Sequence, residues 1–388
     1  MPPVLLDVSA CSDAHTDVAL EALHKAIGEE PDLEGIWAEH PNPYLRRLVE
    51  LFTASGLDRI ERVRAELLRW LTGKGHKRAA RRPRRPRLAM ARWSKAELEL
   101  AKLYLESIPP ESLTLDDWMM VVDYITQRYL APDDLRTEAD WLVTRSAMMG
   151  RLQAELLEPP TPAAADHILA RLPDPRLFMR GMTREQKAAL DFGRLRCAEA
   201  VTDLSDDARR RMRNLVVDHQ EAVFTGDLAG AAEALQSKIL DAFGTLNRDW
   251  RRIAVTEAGE NAGQGFVAAQ PPGTRIKRVE QYRGACSYCR SIDGRIMTVV
   301  AADKADKDGE TEVWLGKTNR GRSASPRKRL GGELVEREPE ERFWVAAGTM
   351  HPHCRGAWVV VTGGAPRDAT FDAWLESMAK RAPADDGD

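Results

Sequence analysis

The sequence predicts an α+β protein: mainly α-helical over its N-terminal two-thirds, then a small C-terminal β-rich, zinc-knuckle-like module and a terminal helix. Three observations lead there. Apolar residues recur at helical spacing behind capping signals through about residue 268. After Pro271-Pro272-Gly273 the pattern changes to strand-like alternation, RIKRVEQY at 275–282. Two patterned elements, CSYC at 286–289 and HPHC at 351–354, follow within that altered region.

The elements can be justified in order. From Asp58, Ile60, Val63, Leu67 and Trp70 share one helical face. Ser94 with Glu97 is a capping box ahead of Leu98, Ala101 and Leu105, and Pro109-Pro110 ends that helix. Thr114 opens the next, with Trp118, Val121, Val122, Ile125 and Tyr129 as its apolar side. Thr137 to Leu157 carries Trp141, Met148, Leu152 and Leu156. EPPTPAAA at 158–165 reads as a break. A second helical group follows: one helix capped by Thr183 and Gln186, one by Ser205, one after Asp227, and one from Asn247 to Phe266. In the last, Glu257, Asn261 and Gln264 share a face and read as the wet side of the helix.

Beyond Pro271, Asp293-Gly294 predicts a hairpin turn between 275–282 and a return strand at 296–300. Residues 301–340 are polar and rich in Gly, Ser, Lys and Arg, which predicts a long loop or disordered insertion. Trp358 to Val361 reads as a buried strand, and Thr370 opens a final helix with Phe371, Trp374, Leu375 and Met378 on one side. This divides the chain into a helical domain (1–157), a helical lead-in (158–268), the β-rich module (269–362) and a terminal helix with an acidic tail (363–388).

Length and composition bound the function. At about 150 residues per domain, 388 residues make two or three domains. With 57 Lys plus Arg against 60 Asp plus Glu, the formal net charge is −3, which excludes holding nucleic acid by bulk charge alone. No stretch approaches the roughly 20 apolar residues of a membrane span. Val8-Ser9-Ala10-Cys11 has the look of a lipoprotein cleavage box, but Asp7 interrupts its short apolar run and no basic leader precedes it. The expectation is a protein made and kept in a cytoplasm, with no membrane partner.

Five cysteines, an odd number, argue against a disulfide framework. Cys286 and Cys289, two residues apart, are followed 61 residues later by His351-Pro352-His353-Cys354. This is the spacing of a tetrahedral zinc site, here Cys286, Cys289, His351 and Cys354, with His353 competing for the histidine place. Four protein ligands leave no open position, so the expected zinc is structural. Closing a loop of that length costs about 4 kcal/mol, against about 10–16 kcal/mol returned by structural zinc in peptides. Three other readings stand beside it. CxxC can be a redox pair, but those sit where a strand enters a helix, and here the Asp293-Gly294 hairpin turn follows. The cysteines can be small buried hydrophobes. His353 with Cys354 can be a catalytic dyad, but strand neighbours point to opposite faces.

Lys74, Lys77, Arg78, Arg81, Arg82, Arg84, Arg85 and Arg87 put eight cations in fourteen positions. They suit an arm that tracks the phosphates of double-stranded DNA without reading sequence, or else a solvated linker.

These residues resemble the Mu F-like phage head morphogenesis family of minor head proteins. The resemblance runs over about 185–361: the helical stretch at 189–216, Gly226-Asp227-Leu228, Thr256-Glu257 with Asn261-Ala262-Gly263, CSYCRSIDGRIM at 286–297 and HPHCRGAW at 351–358. The sequence departs from the family at Val255, where an Arg usually precedes the Thr-Glu pair, and at Gly356, where a further Cys often stands. The first departure weakens an enzymatic reading of the Thr-Glu helix, and the second suits a four-ligand site. The resemblance implies a structural, non-enzymatic minor capsid protein in the virion. It would work in head assembly at the portal vertex beside portal and capsid proteins, and would contact packaged DNA. A virion-carried enzyme and a cellular zinc-knuckle nucleic-acid binder are the alternative readings.

Overall fold

The computed structural model describes residue 35 and residues 38–73, 84–88, 92–109, 112–158, 160–226 and 228–381. It is an α+β fold, mainly helical, with a small mixed sheet in the C-terminal part. The helices are α1 (Pro43–Leu71), α2 (Lys95–Glu106), α3 (Leu115–Tyr129), α4 (Pro132–Glu155), α5 (Pro162–Ala170), α6 (Pro175–Arg180), α7 (Arg184–Thr225) and α8 (Leu228–Ala268). Then come β1 (Arg275–Val279), α9 (Ser287–Ile292), β2 (Ile296–Val299), β3 (Glu312–Val313), β4 (Arg327–Leu330), β5 (Glu333–Glu336), β6 (Ala357–Thr362) and α10 (Phe371–Arg381).

Several helices start where the caps require. Ser94 and Glu97 exchange bonds at the head of α2, Thr114 and Asp117 do so at α3, and Thr183 and Gln186 at α7. Other boundaries differ from the sequence reading. α1 begins at Pro43, because the Asn42 carboxamide accepts from the Tyr44 N–H and proline at the first helical position needs no partner. The same rule starts α4 at Pro132 and α5 at Pro162, where the sequence suggested a terminator and a break. Ser205 caps nothing. It lies inside α7, a helix of 42 residues, and its hydroxyl donates to the Leu130 carbonyl. The helices expected after Asp227 and at Asn247 are likewise one, α8, of 41 residues.

The chain forms two compact units: Met1–Leu51 with Asp140–Cys197 and Arg252–Asp388, and Phe52–Ala139 with Ala198–Arg251. The four consecutive segments read from the sequence do not coincide with these units, because α1, α4, α7 and α8 each contribute residues to both.

The helical unit (52–139 and 198–251) is built around aromatics. Trp250 is fully buried, stacks on Phe52 at 5.3 Å and donates to the Phe52 carbonyl at 3.1 Å. Gly56 is small because a Cβ there would run into the Trp250 ring. Trp70 and Tyr124 meet edge to face at 6.4 Å.

In the other unit α4 and α8 pack at backbone distance. Side chains at Gly150 or Gly265 would collide with the Ala262 and Ala147 carbonyls. The four-stranded sheet has the order β3-β2-β1-β6, with β1 antiparallel to both neighbours and β3 parallel to β2. Asp293-Gly294 does connect β1 towards β2, but a helical turn, α9, is inserted ahead of it. β6 is not a buried strand: Trp358 is buried while Val359 and Val361 are 38% and 40% exposed.

Residues 301–340 are a long and mostly irregular stretch, as the loop alternative has it, but one that carries β3, β4 and β5 and packs through its own contacts. Lys317, 1% exposed, lies 4.7 Å from the ring centres of both Trp314 and Trp344, and its ammonium donates to the Gly309 and Glu312 carbonyls. The Arg322 guanidinium carbon lies 3.4 Å from the centre of the Trp344 ring, and the Asn319 amide donates to the Trp344 and Met350 carbonyls. Cation–π contacts and buried hydrogen bonds thus do what an apolar run does elsewhere. α10 folds onto the end of α4, where Trp374 donates to Glu155 at 3.0 Å.

Candidate metal centre

The centre is assembled from four places. Cys286 is the N-cap of α9, and its thiol accepts from the Cys289 N–H at 3.5 Å. That single turn places both sulfurs on one side. His351 comes from the turn before β6, and its Nε2 lies 3.2 Å from the Cys286 sulfur and 3.1 Å from the Cys289 sulfur. Cys354 follows, with its sulfur 4.0 Å from that of Cys289. Cys286, Cys289 and Cys354 are all buried.

His351 Nδ1 sits 2.6 Å from the Pro352 carbonyl. A carbonyl only accepts, so Nδ1 carries a proton, and Nε2 is the nitrogen presented to the sulfurs. His353 takes no part. Its φ is +63°, and its N–H donates to the Thr256 hydroxyl at 3.1 Å. Burial, then the charges of Arg252 and Arg355, hold its imidazole down to about 3.

Among the described residues there are two donor trios, Cys286/Cys289/His351 and Glu280/Cys289/Cys354, each with ligand atoms within 4.8 Å of one another. They share Cys289. The Cys286, Cys289, His351 and Cys354 cluster can therefore hold a metal ion. Hydrogen bonding from Cys289 holds the Cys286 thiol down to about 3, with His351 adding to it. Burial opposes a charged imidazole, but the Cys286 thiolate beside His351 raises it to about 10. Burial likewise opposes a Cys354 thiolate, yet the bond from Cys289 and the Arg278 charge pull it well below the usual thiol range. The pocket thus favours thiolates, the form that binds metal, at Cys286 and Cys354, whereas the hydrogen bonds to those two sulfurs, and then burial, push the Cys289 thiol well above the usual thiol range.

The sequence argument against a redox pair rested on a hairpin turn directly after CxxC. A helical turn begins there instead. What separates the site from a bare dithiol is the third thiol and the imidazole gathered on the same atoms.

Sequence reasoning misplaced the polar stripe on α8. Glu257, Glu260, Asn261 and Gln264 are buried. Arg196 grips Glu257 through two nitrogens, at 3.0 and 2.6 Å. Glu260 accepts from the Thr349 N–H at 2.7 Å and hydroxyl at 2.9 Å, and from Gln264 at 3.1 Å. The stripe therefore fastens α8 to the segment that leads into His351. Gly259 and Gly263, in the same helix, were the available signal, since glycines there imply a close neighbour.

Arg355 is also committed inward. It donates to the Gly35 carbonyl at 2.6 Å, the Arg283 carbonyl at 2.8 Å and the Ala38 carbonyl. Of the basic run, Arg84, Arg85 and Arg87 are exposed, and Arg85 faces Asp116 at 3.5 Å. Lys74, Lys77, Arg78, Arg81 and Arg82 lie outside the described residues. No helix among the described residues is long and apolar enough to cross a membrane.

No family model, no curated protein and no solved structure matches the chain.

Proposed function

We propose that the chain is a structural minor head protein of a tailed phage, a virion component at the portal vertex, whose C-terminal module is clasped by one zinc ion. The observation that carries this reading is the convergence of Cys286, Cys289, His351 and Cys354 from the two ends of the motif pair on which the family resemblance rests. A zinc tetrahedron with Zn–S near 2.3 Å and Zn–N near 2.0–2.1 Å spaces its sulfurs about 3.8 Å apart, and sulfur from nitrogen about 3.5 Å. The observed sulfur–nitrogen separations, 3.1 and 3.2 Å, are somewhat shorter than that, and the Cys289–Cys354 sulfurs at 4.0 Å are slightly farther apart; an ion would draw Cys354 in towards the other three donors. Thiolate donors favour zinc over calcium or magnesium.

Filled by four protein donors, the ion has no open position for substrate, and its work is to hold β1, α9 and the turn at 351–354 as one platform. The Arg196–Glu257–Glu260 network supports a scaffold role in the same way, since its hydrogen bonds are spent on its own chain. Portal and capsid proteins are the partners of that platform. Double-stranded DNA is the partner of the basic run. Neutralising four phosphates gives a salt slope near −3.6, so DNA retention falls about 150-fold between 50 and 200 mM salt.

Counting this chain by mass spectrometry of purified particles tests the reading. A fixed low number of copies per portal is expected. Particles that lack the chain would remove the virion assignment, and a flat salt response would remove the DNA contact.

A further inference from the structure

Arg278 is the largest charge beside the three thiols, and nothing in the motif pair announces it. It lies on β1, two residues from Ile276 and two from Glu280, so all three face one side of the strand. Ile276 is fully buried, and Arg278 and Glu280 are each 1% exposed. The strand face changes from apolar to charged as it nears the cysteines.

Burying a guanidinium is costly unless each donor finds a partner. Arg278 spends its donors on Glu280 at 2.6 Å, the Gly348 carbonyl at 3.1 Å and the Cys354 sulfur at 3.5 Å. Its guanidinium carbon stands 5.2 Å from the centre of the Trp358 ring. Glu280 is held in turn. Its N–H donates to Asp293 at 2.8 Å, and its carboxylate fills the space above Gly356, where a Cβ would strike it. Both carboxylate oxygens are 3.8 Å from the Cys354 sulfur, and Oε1 is the one that Arg278 holds.

Resting on the zinc reading above, we infer that Arg278 is a positioning residue of the metal centre. It is the built-in counter-ion that aims Cys354 at the fourth ligand position through an N–H···S bond, while Glu280 aims Arg278 and is not itself a ligand. Such outer partners change metal affinity by about 10–100-fold when removed.

The test uses the full chain, zinc competition against a chelating dye, and cobalt(II) substitution. Arg278→Met keeps the stem and deletes the charge and the N–H. It is expected to weaken zinc by about 10–100-fold, with Arg278→Lys recovering part of the loss and Glu280→Gln keeping the wild-type cobalt spectrum. In Arg278→Met the thiolate-to-cobalt band is expected to keep its intensity and move to lower energy, because a thiolate that loses an N–H donor gives up its electron more easily. A purely structural arginine would not move that band. Unchanged zinc affinity and band position in Arg278→Met, or in Arg278→Gln should the Met variant not fold, would overturn the inference and leave the zinc reading standing. A changed cobalt spectrum in Glu280→Gln would make Glu280 a ligand and overturn it too. A wild-type chain that takes up no zinc would remove both.

Discussion

The helical unit and the C-terminal module solve the same problem with different materials. The helical unit buries Trp70, Trp118, Tyr124 and Trp250 and fits Gly56 under one of them. The module buries charge: Arg278, Glu280, Lys317 and Arg355 are each 1% exposed. Apolar packing is unconditional, needing only its own chain. A core of thiols, guanidinium groups and carboxylates is conditional, because each charge relies on a partner, and in the proposed reading one of those partners is an ion from outside. The contrast implies that the two regions fail under different insults.

Metal removal is the strongest way to break that contrast. Structural zinc returns about 10–16 kcal/mol in peptides, as much as a whole domain's margin of about 5–15 kcal/mol. Chelation, or Cys286→Ser, is expected to open the module to protease between residues 275 and 362, while the helical circular-dichroism signal largely persists. Loss of helix and module in one step would show that the regions are not separable in this way.

Trp250→Ala is the converse insult. Losing a buried tryptophan costs about 3–5 kcal/mol. Thermal melting should show that loss in the helical unit, with zinc stoichiometry unchanged. A variant that also sheds its metal would contradict the division.

Glu260→Ala sits between the two kinds of core. It strands the Thr349 donors and part of the Arg196 charge, and breaking such a buried set costs about 3 kcal/mol. Because Thr349 leads into His351, zinc exchange is expected to quicken as well, which a chelator time course would show. Stability loss with unaltered exchange would mean that the stripe fastens the helix alone.

The smallest effect is at a helix end. Ser94→Ala removes the hydroxyl half of the α2 capping box, leaving the Glu97 carboxylate on the backbone N–H, and should cost about 1 kcal/mol by denaturant titration, with no effect on metal.

How much of this was legible follows the same line. Caps are local, so Ser94 with Glu97, Thr114 and Thr183 with Gln186 could be read from neighbouring residues. The metal donors could be read too, because ligand spacing is set by the tetrahedron. What escaped depends on distant partners. Ser205 resembles a cap until Leu130 takes its hydroxyl. Glu257 and Glu260 resemble a wet face until Arg196, some sixty residues upstream, and Thr349, some ninety downstream, close on them. Residues 301–340 look like linker because they are ordered by Lys317 and Arg322 packing on Trp314 and Trp344, a use of polar residues that composition does not signal. Arg278 was hidden for the same reason, as one cation in an alternating strand.

The central claim is that a single divalent ion, held by three sulfurs and one nitrogen, closes the module. Zinc-edge X-ray absorption on the purified full chain tests it most directly. One zinc per chain is expected, with three sulfur neighbours near 2.3 Å and one nitrogen near 2.0–2.1 Å. A chain without stoichiometric zinc, or a first shell dominated by oxygen, would contradict it.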